Sequence, residues 1–162
     1  MRFDTHQHFW NLANPFTNWP TPDLARIHRD FGPADLLGQL DGAGVEGTIL
    51  VQAAPSVAET EYCLAIATEC DFVRGVVGWI DFEAADALDQ IRRLAISPWL
   101  KGFRPMVQSI DEPGWLAHDR FEPIFAKMVE HGLVFDGLVQ ARQIGDLTRL
   151  ARRHPNLAIA LN

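Results

Sequence analysis

The feature that most restricts the fold is a regular alternation of strand-like and helix-like segments repeated along almost the whole chain. Phe3 to Gln7 reads as a short strand, followed by a long loop rich in Pro, Asn and Thr that lasts to about Gly32. Ala34 to Ala43 places Leu36, Leu37 and Leu40 on one helical face and stops at Gly44; the β-branched TILVQ of Thr48 to Gln52 is the second strand. Ser56 and Glu59 have the spacing of a capping box that opens a helix running to about Cys70. Val73 to Ile80 is an almost unbroken apolar run, as expected of a strand buried on both faces. The pattern continues with a helix over Ala84 to Ala95, a strand over Leu100 to Arg104 and a helix over Phe121 to Glu130 stopped at His131-Gly132. A strand over Leu133 to Leu138, a helix over Ile144 to Arg153 and a last strand over Leu157 to Leu161 complete it. Strands and helices in βαβα order predict an α/β fold with a parallel sheet, either doubly wound or closing into a barrel.

Composition narrows the function classes. The 162 residues are 48% apolar and 22% charged, the make-up of a globular protein with a substantial core. A net charge of -7 without a run of Lys or Arg argues against nucleic acid as a partner. The beginning has no basic segment leading into an apolar one, and no apolar run approaches the roughly 20 residues of a membrane span, so a cytoplasmic protein without a membrane partner is expected. Cys63 and Cys70, seven apart on one helix, are separated by about 10 Å of rise and are expected to be small buried residues rather than a disulfide.

Chemistry concentrates in Asp4-Thr5-His6-Gln7-His8. Side chains alternate along a strand, so His6 and His8 point to the same side and can grip one divalent ion. In a (β/α) barrel the carboxyl ends of the strands form the active-site face, and this pair lies at the carboxyl end of the first strand. Arg104, at the top of the fourth strand, carries a planar fork suited to a carboxylate or another pair of oxygens; a structural ion pair is its alternative role. Asp136 stands inside the apolar LVFDGL strand, where an acid is costly unless paired or functional. Gln52 and Trp79 also fall near strand ends, where they are placed to bind a hydroxyl and flank a ring, or else to pack and cap. Trp10, Phe16 and Trp19 in the long first loop are expected to form a wall over the site, or to plug the rim, with Trp19 the substrate-binding candidate. Asp81 is expected to cap a turn, and His28, His118, His131 and His154 to occupy solvent-facing or capping positions. Lys101 opens the fourth strand about 10 Å below Arg104, at roughly 3.3 Å per residue, and alternates to the opposite side. It is expected as a solvated stem at the bottom of the barrel, not as a bridge between two metals.

The segments FDTHQHFW, VQAAPSVAETE, GVVGWIDF, LKGFRP, GLVFDGLV and RRHPNLAIALN resemble, in this order, the N-terminal portion of the amidohydrolase superfamily. The likeness is to the branch that includes sugar lactonases and 2-pyrone-4,6-dicarboxylate lactonase, and is closest to lactonases of the L-fuconolactone and L-rhamnonolactone type. It implies a (β/α)8 TIM barrel, of which residues 1–162 would be the N-terminal part of a single domain with six of the eight strands, truncated at strand six. It implies a mononuclear metal site, commonly Zn, in which the strand-one pair corresponds to His6 and His8, with a further His after strand six and an Asp after strand eight. Parts of the family work without metal. The activity implied is hydrolysis of an aldono-lactone; from their places at strand ends and in the first loop, Arg104 and Asp136 are then the expected catalytic residues and Gln52, Trp79 and Trp19 the expected substrate contacts. Alternatives are a metal-assisted decarboxylase of an unsaturated or aromatic acid, and a truncated fragment that turns nothing over. An open set of strands is expected to associate with itself or to be completed by a further C-terminal segment.

Overall fold

A computed structural model describes residues 2–162. Its six strands are β1 (Phe3–Gln7), β2 (Gly47–Val51), β3 (Val73–Gly78), β4 (Leu100–Phe103), β5 (Val134–Gly137) and β6 (Ile159–Leu161). The five helices between them are α1 (Pro33–Ala43), α2 (Val57–Glu69), α3 (Ala87–Leu94), α4 (Glu122–Glu130) and α5 (Ile144–Arg153). All neighbouring strands pair in parallel, in the order β1-β2-β3-β4-β5-β6. Sequential order with a helix in every crossover is the topology of a (β/α) barrel, not of a doubly wound sheet, whose order reverses partway. The sheet is curled: the side chain of Asn162, just past β6, reaches His6 in β1.

The core lies between the convex face of the sheet and the helices. Phe103 and Phe135 turn outward into it and meet Ile91, Phe121, Phe125 and Met128, all at most 1% exposed. A second cluster joins Leu50, Val73 and Val76 to Cys63, Ala67 and Cys70 of α2 and its end, so both thiols are free and buried as expected. The third helix begins at Ala87 instead of Ala84. Phe82 explains the delay, because it leaves the strand end to enter the core, stacking near Trp115, Phe121, Phe125 and Phe135. Asp81 caps this turn by accepting the Glu83 N–H at 2.9 Å.

The start of α2 departs from a capping box. Ser56 caps the helix through the Ala58 N–H, whereas Glu59 reaches past it and accepts the N–H groups of Ala53 and Ala54. Glu59 thus ties down the β2–α2 loop, and it is only 3% exposed.

The expected alternation of Lys101 and Arg104 fails. Val76 faces Leu100 while Val77 faces Gly102, so β4 carries one extra residue relative to β3. Such a bulge turns Lys101 and Arg104 to the same concave side. Lys101 nonetheless stays at the lower end, its stem lying where a Cβ on Gly75 would be and its Nζ donating to Pro98 O at 2.7 Å.

Candidate active site

His6 and His8 converge. Their Nε2 atoms are 3.0 Å apart and their rings meet edge to face, with centroids separated by 4.8 Å. The Nδ1–H of His8 donates to Val51 O at 2.8 Å, which leaves its Nε2 as a lone pair. Arg104 Nη1, which can only donate, sits 3.3 Å from His6 Nε2. Two acceptors therefore face one point.

That geometry suits a metal ion. Two nitrogens each about 2.0–2.1 Å from one zinc ion lie roughly 2.9–3.4 Å apart for angles between square and tetrahedral, so the observed separation fits. Burial lowers the pKa of His8 to about 4 and, with help from Arg104, also lowers that of His6. Both imidazoles are consequently neutral and available as ligands at neutral pH. Among the described residues no third His, Cys, Asp or Glu joins them to make a three-ligand cluster.

The remaining polar groups are gathered around the pair. Arg104 is 5% exposed and donates through Nη2 to Gln52 O, while its Nε has no partner. Burial lowers its pKa, and the charges of Asp136 and Glu59 act in the other direction. Asp136 projects from β5 into the concave face; its Oδ2 is 3.4 Å from the Asn162 amide and its Oδ1 is buried without a partner. Burial raises its pKa, opposed by Asn162, Arg104 and His6. Gln52 is fully buried, with Nε2 on Arg104 O and Met106 Sδ.

Above His8 lies a cavity of about 380 Å³ lined by Asn18, Trp19, Pro55, Arg104, Met106 and Leu138, among others. Trp19 is held there by the long loop. Trp10 and Phe31 close that loop's neck with two backbone hydrogen bonds of 3.0 Å, and the Trp19 ring packs against Trp10 at 5.1 Å. Phe16 lies apart, against Tyr62. Trp79 does not line this cavity. It borders an adjoining one of about 310 Å³ with Asp81, Met106, Ser109 and Trp115, and its backbone is fixed by Thr60 Oγ1. Sequence reasoning did not single out Asn18, Met106, Leu138 or Asn162; the only signal was their place just beyond strand ends or in the long loop.

A family model described as Amidohydrolase matches residues 3–162. The chain belongs to the amidohydrolase family. It is 41% identical over 161 residues to an L-fucono-1,5-lactonase of Burkholderia ambifaria, covering 99% of this chain and 56% of that protein. A crystal structure of an amidohydrolase from Burkholderia multivorans with bound zinc superposes with a TM-score of 0.87 at 27% identity, over 99% of this chain and 57% of the other. A probable 2-pyrone-4,6-dicarboxylic acid hydrolase from Acinetobacter baumannii, crystallised with citric acid, shares the fold at a TM-score of 0.70 and 10% identity, over 99% and 56% of the two chains. The chain spans little more than half the length of these relatives, and its curled sheet corresponds to part of their (β/α)8 barrel.

Proposed function

We propose that this protein hydrolyses an aldono-lactone to the open-chain acid, with the reaction centred on His6, His8, Arg104 and Asp136. The observation that carries the reading is the 3.0 Å convergence of the two Nε2 atoms beside the Arg104 guanidinium, beneath a cavity walled by Trp19. The named activity of the Burkholderia ambifaria relative supports the same substrate class.

A divalent ion such as zinc, held in part by His6 and His8, would supply Lewis acidity to the lactone carbonyl and to the attacking water. The chain's own groups do the rest. Arg104, fixed by its bond to Gln52 O, orients the lactone and shares the negative charge that develops on the carbonyl oxygen. Asp136 is placed to accept a proton from water at Oδ1, because burial raises its proton affinity and that oxygen has no other partner. Trp19 flanks the sugar ring and shields the site from solvent.

The test is acid release by the full reading frame to which these residues belong, measured on a panel of aldono-1,5-lactones with and without a chelator. Turnover lost on chelation and restored by zinc is expected. Absence of acid from every lactone in the metal-replete protein would overturn the assignment, and release of carbon dioxide from unsaturated acids would replace it with decarboxylation.

A further inference from the structure

We infer that Gln52 is a positioning residue, acting through Arg104 instead of touching the lactone. Strands β2 and β4 are not neighbours, since β3 lies between them. Their ends are nevertheless joined reciprocally: Gln52 Nε2 donates to Arg104 O at 3.1 Å, and Arg104 Nη2 donates to Gln52 O. The same amide nitrogen lies 3.4 Å from Met106 Sδ, and Met106 walls the cavity above His8. Gln52 has no exposed surface for a ligand to reach.

The carbonyl that receives the guanidinium is itself anchored. Glu59 accepts the N–H groups of Ala53 and Ala54, the two residues that follow Gln52. A continuous set of contacts therefore runs from Glu59 through the 52–54 backbone to Arg104, and from Arg104 Nη1 to His6 Nε2 at 3.3 Å. An Arg side chain loses many rotamers on being fixed, and no carboxylate forms an ion pair with Arg104 among the described residues, so these bonds set where its fork lies. Gln52 fixes the fork relative to the histidines and fixes the Met106 wall beside it.

This inference rests on the proposed role of Arg104 at the substrate, and the experiment separates the two. In the full reading frame, Gln52→Met removes the amide at nearly constant volume, Arg104→Lys removes the fork, and the double variant combines them; Gln52→Asn, which keeps an amide but withdraws it by one methylene, serves if the Met variant is unstable. Each single change is expected to lower kcat/KM about 10-fold, and the double variant to fall no more than about threefold below Arg104→Lys. A crystal structure of the Gln52 variant should show the guanidinium away from the residue-52 carbonyl. Independent losses that multiply to about 100-fold, or a folded Gln52 variant with unchanged kcat/KM, would overturn the positioning role. If the parent releases no acid from any lactone, the functional reading falls alone. The position of Arg104 in the variant crystal then decides this inference, an unmoved guanidinium refuting it.

Discussion

The side-chain amide of Asn162 lies 3.0 Å from Nδ1 of His6, joining the tip of β6 to β1 across the mouth of the curled sheet. The amide nitrogen faces the ring and lies 3.4 Å from Asp136 Oδ2; with the amide turned over, its oxygen accepts the Nδ1–H and leaves His6 Nε2 free to ligate, as Val51 O already arranges for His8. Ligands and their orienting partners should therefore differ in severity. We expect His6→Ala or His8→Ala to abolish zinc binding and lactone turnover together, and Asn162→Ala to weaken zinc by about 10- to 100-fold with the fold intact. Elemental analysis and competition against a chromogenic chelator measure both. Full zinc occupancy in both histidine variants would remove the pair from the site.

Trp19 is the aromatic wall of the cavity over His8, and its ring is backed by Trp10. Stacking of an aromatic ring on a partner contributes about 0.5–1.5 kcal/mol, so Trp19→Ala should raise KM roughly 2- to 12-fold with a smaller change in kcat. Trp79→Ala serves as the comparison, because Trp79 borders the adjoining cavity. Equal effects of the two substitutions on KM for a simple lactone would show that the cavities act as one site.

The strand-helix alternation and the histidine pair were legible because both depend on local periodicity. β1 is Phe3–Gln7 in sequence and structure alike, and alternation continued one residue past its end is what brings His6 and His8 together. What escaped depends on pairing between segments. Nothing in LKGFRP announces the extra β4 residue that turns Lys101 and Arg104 to one side, because a bulge exists only relative to the register of β3. Ser56 and Glu59 have capping-box spacing, yet Glu59 bonds instead to Ala53 and Ala54, whose N–H groups the loop turns toward it. Gln52 was readable as a residue at a strand end, but its engagement with Arg104, fifty-two positions away, was not.

A polypeptide of these residues made by itself has a cost that no local contact removes. Among the described residues β1 and β6 each pair on one side only, and Phe3 and Leu161 are 42% and 69% exposed beside the concave face. Unpaired strand edges next to apolar surface promote association, which closed barrels avoid. Such a polypeptide is expected to self-associate or aggregate, or to be stabilised by a segment that pairs with those edges. Sedimentation and hydrogen exchange test this; a dilute cooperative monomer with protected amides in both β1 and β6 would contradict it.

Asp136 sets stability against chemistry. Its carboxyl is 6% exposed, with one oxygen unpartnered, and burial raises its pKa despite the nearby Arg104. A carboxyl whose folded pKa exceeds its unfolded value contributes stability that is fully present below the unfolded pKa and lost as pH rises through the folded one. At neutral pH the ionised group is thus a net cost, and Asp136→Asn should raise Tm, by roughly 2–4 °C for each kcal/mol relieved. The gain should shrink toward zero as pH falls to the ordinary range of an aspartic acid, where the parent is protonated in both states. Over the same series kcat/KM should drop at every pH, because the amide cannot take a proton from water. Thermal melts and lactone kinetics from pH 4 to pH 8 read both effects. A variant less stable than its parent at pH 8 would mean that the Arg104 and Asn162 contacts outweigh burial, and that Asp136 is held there as a structural anion.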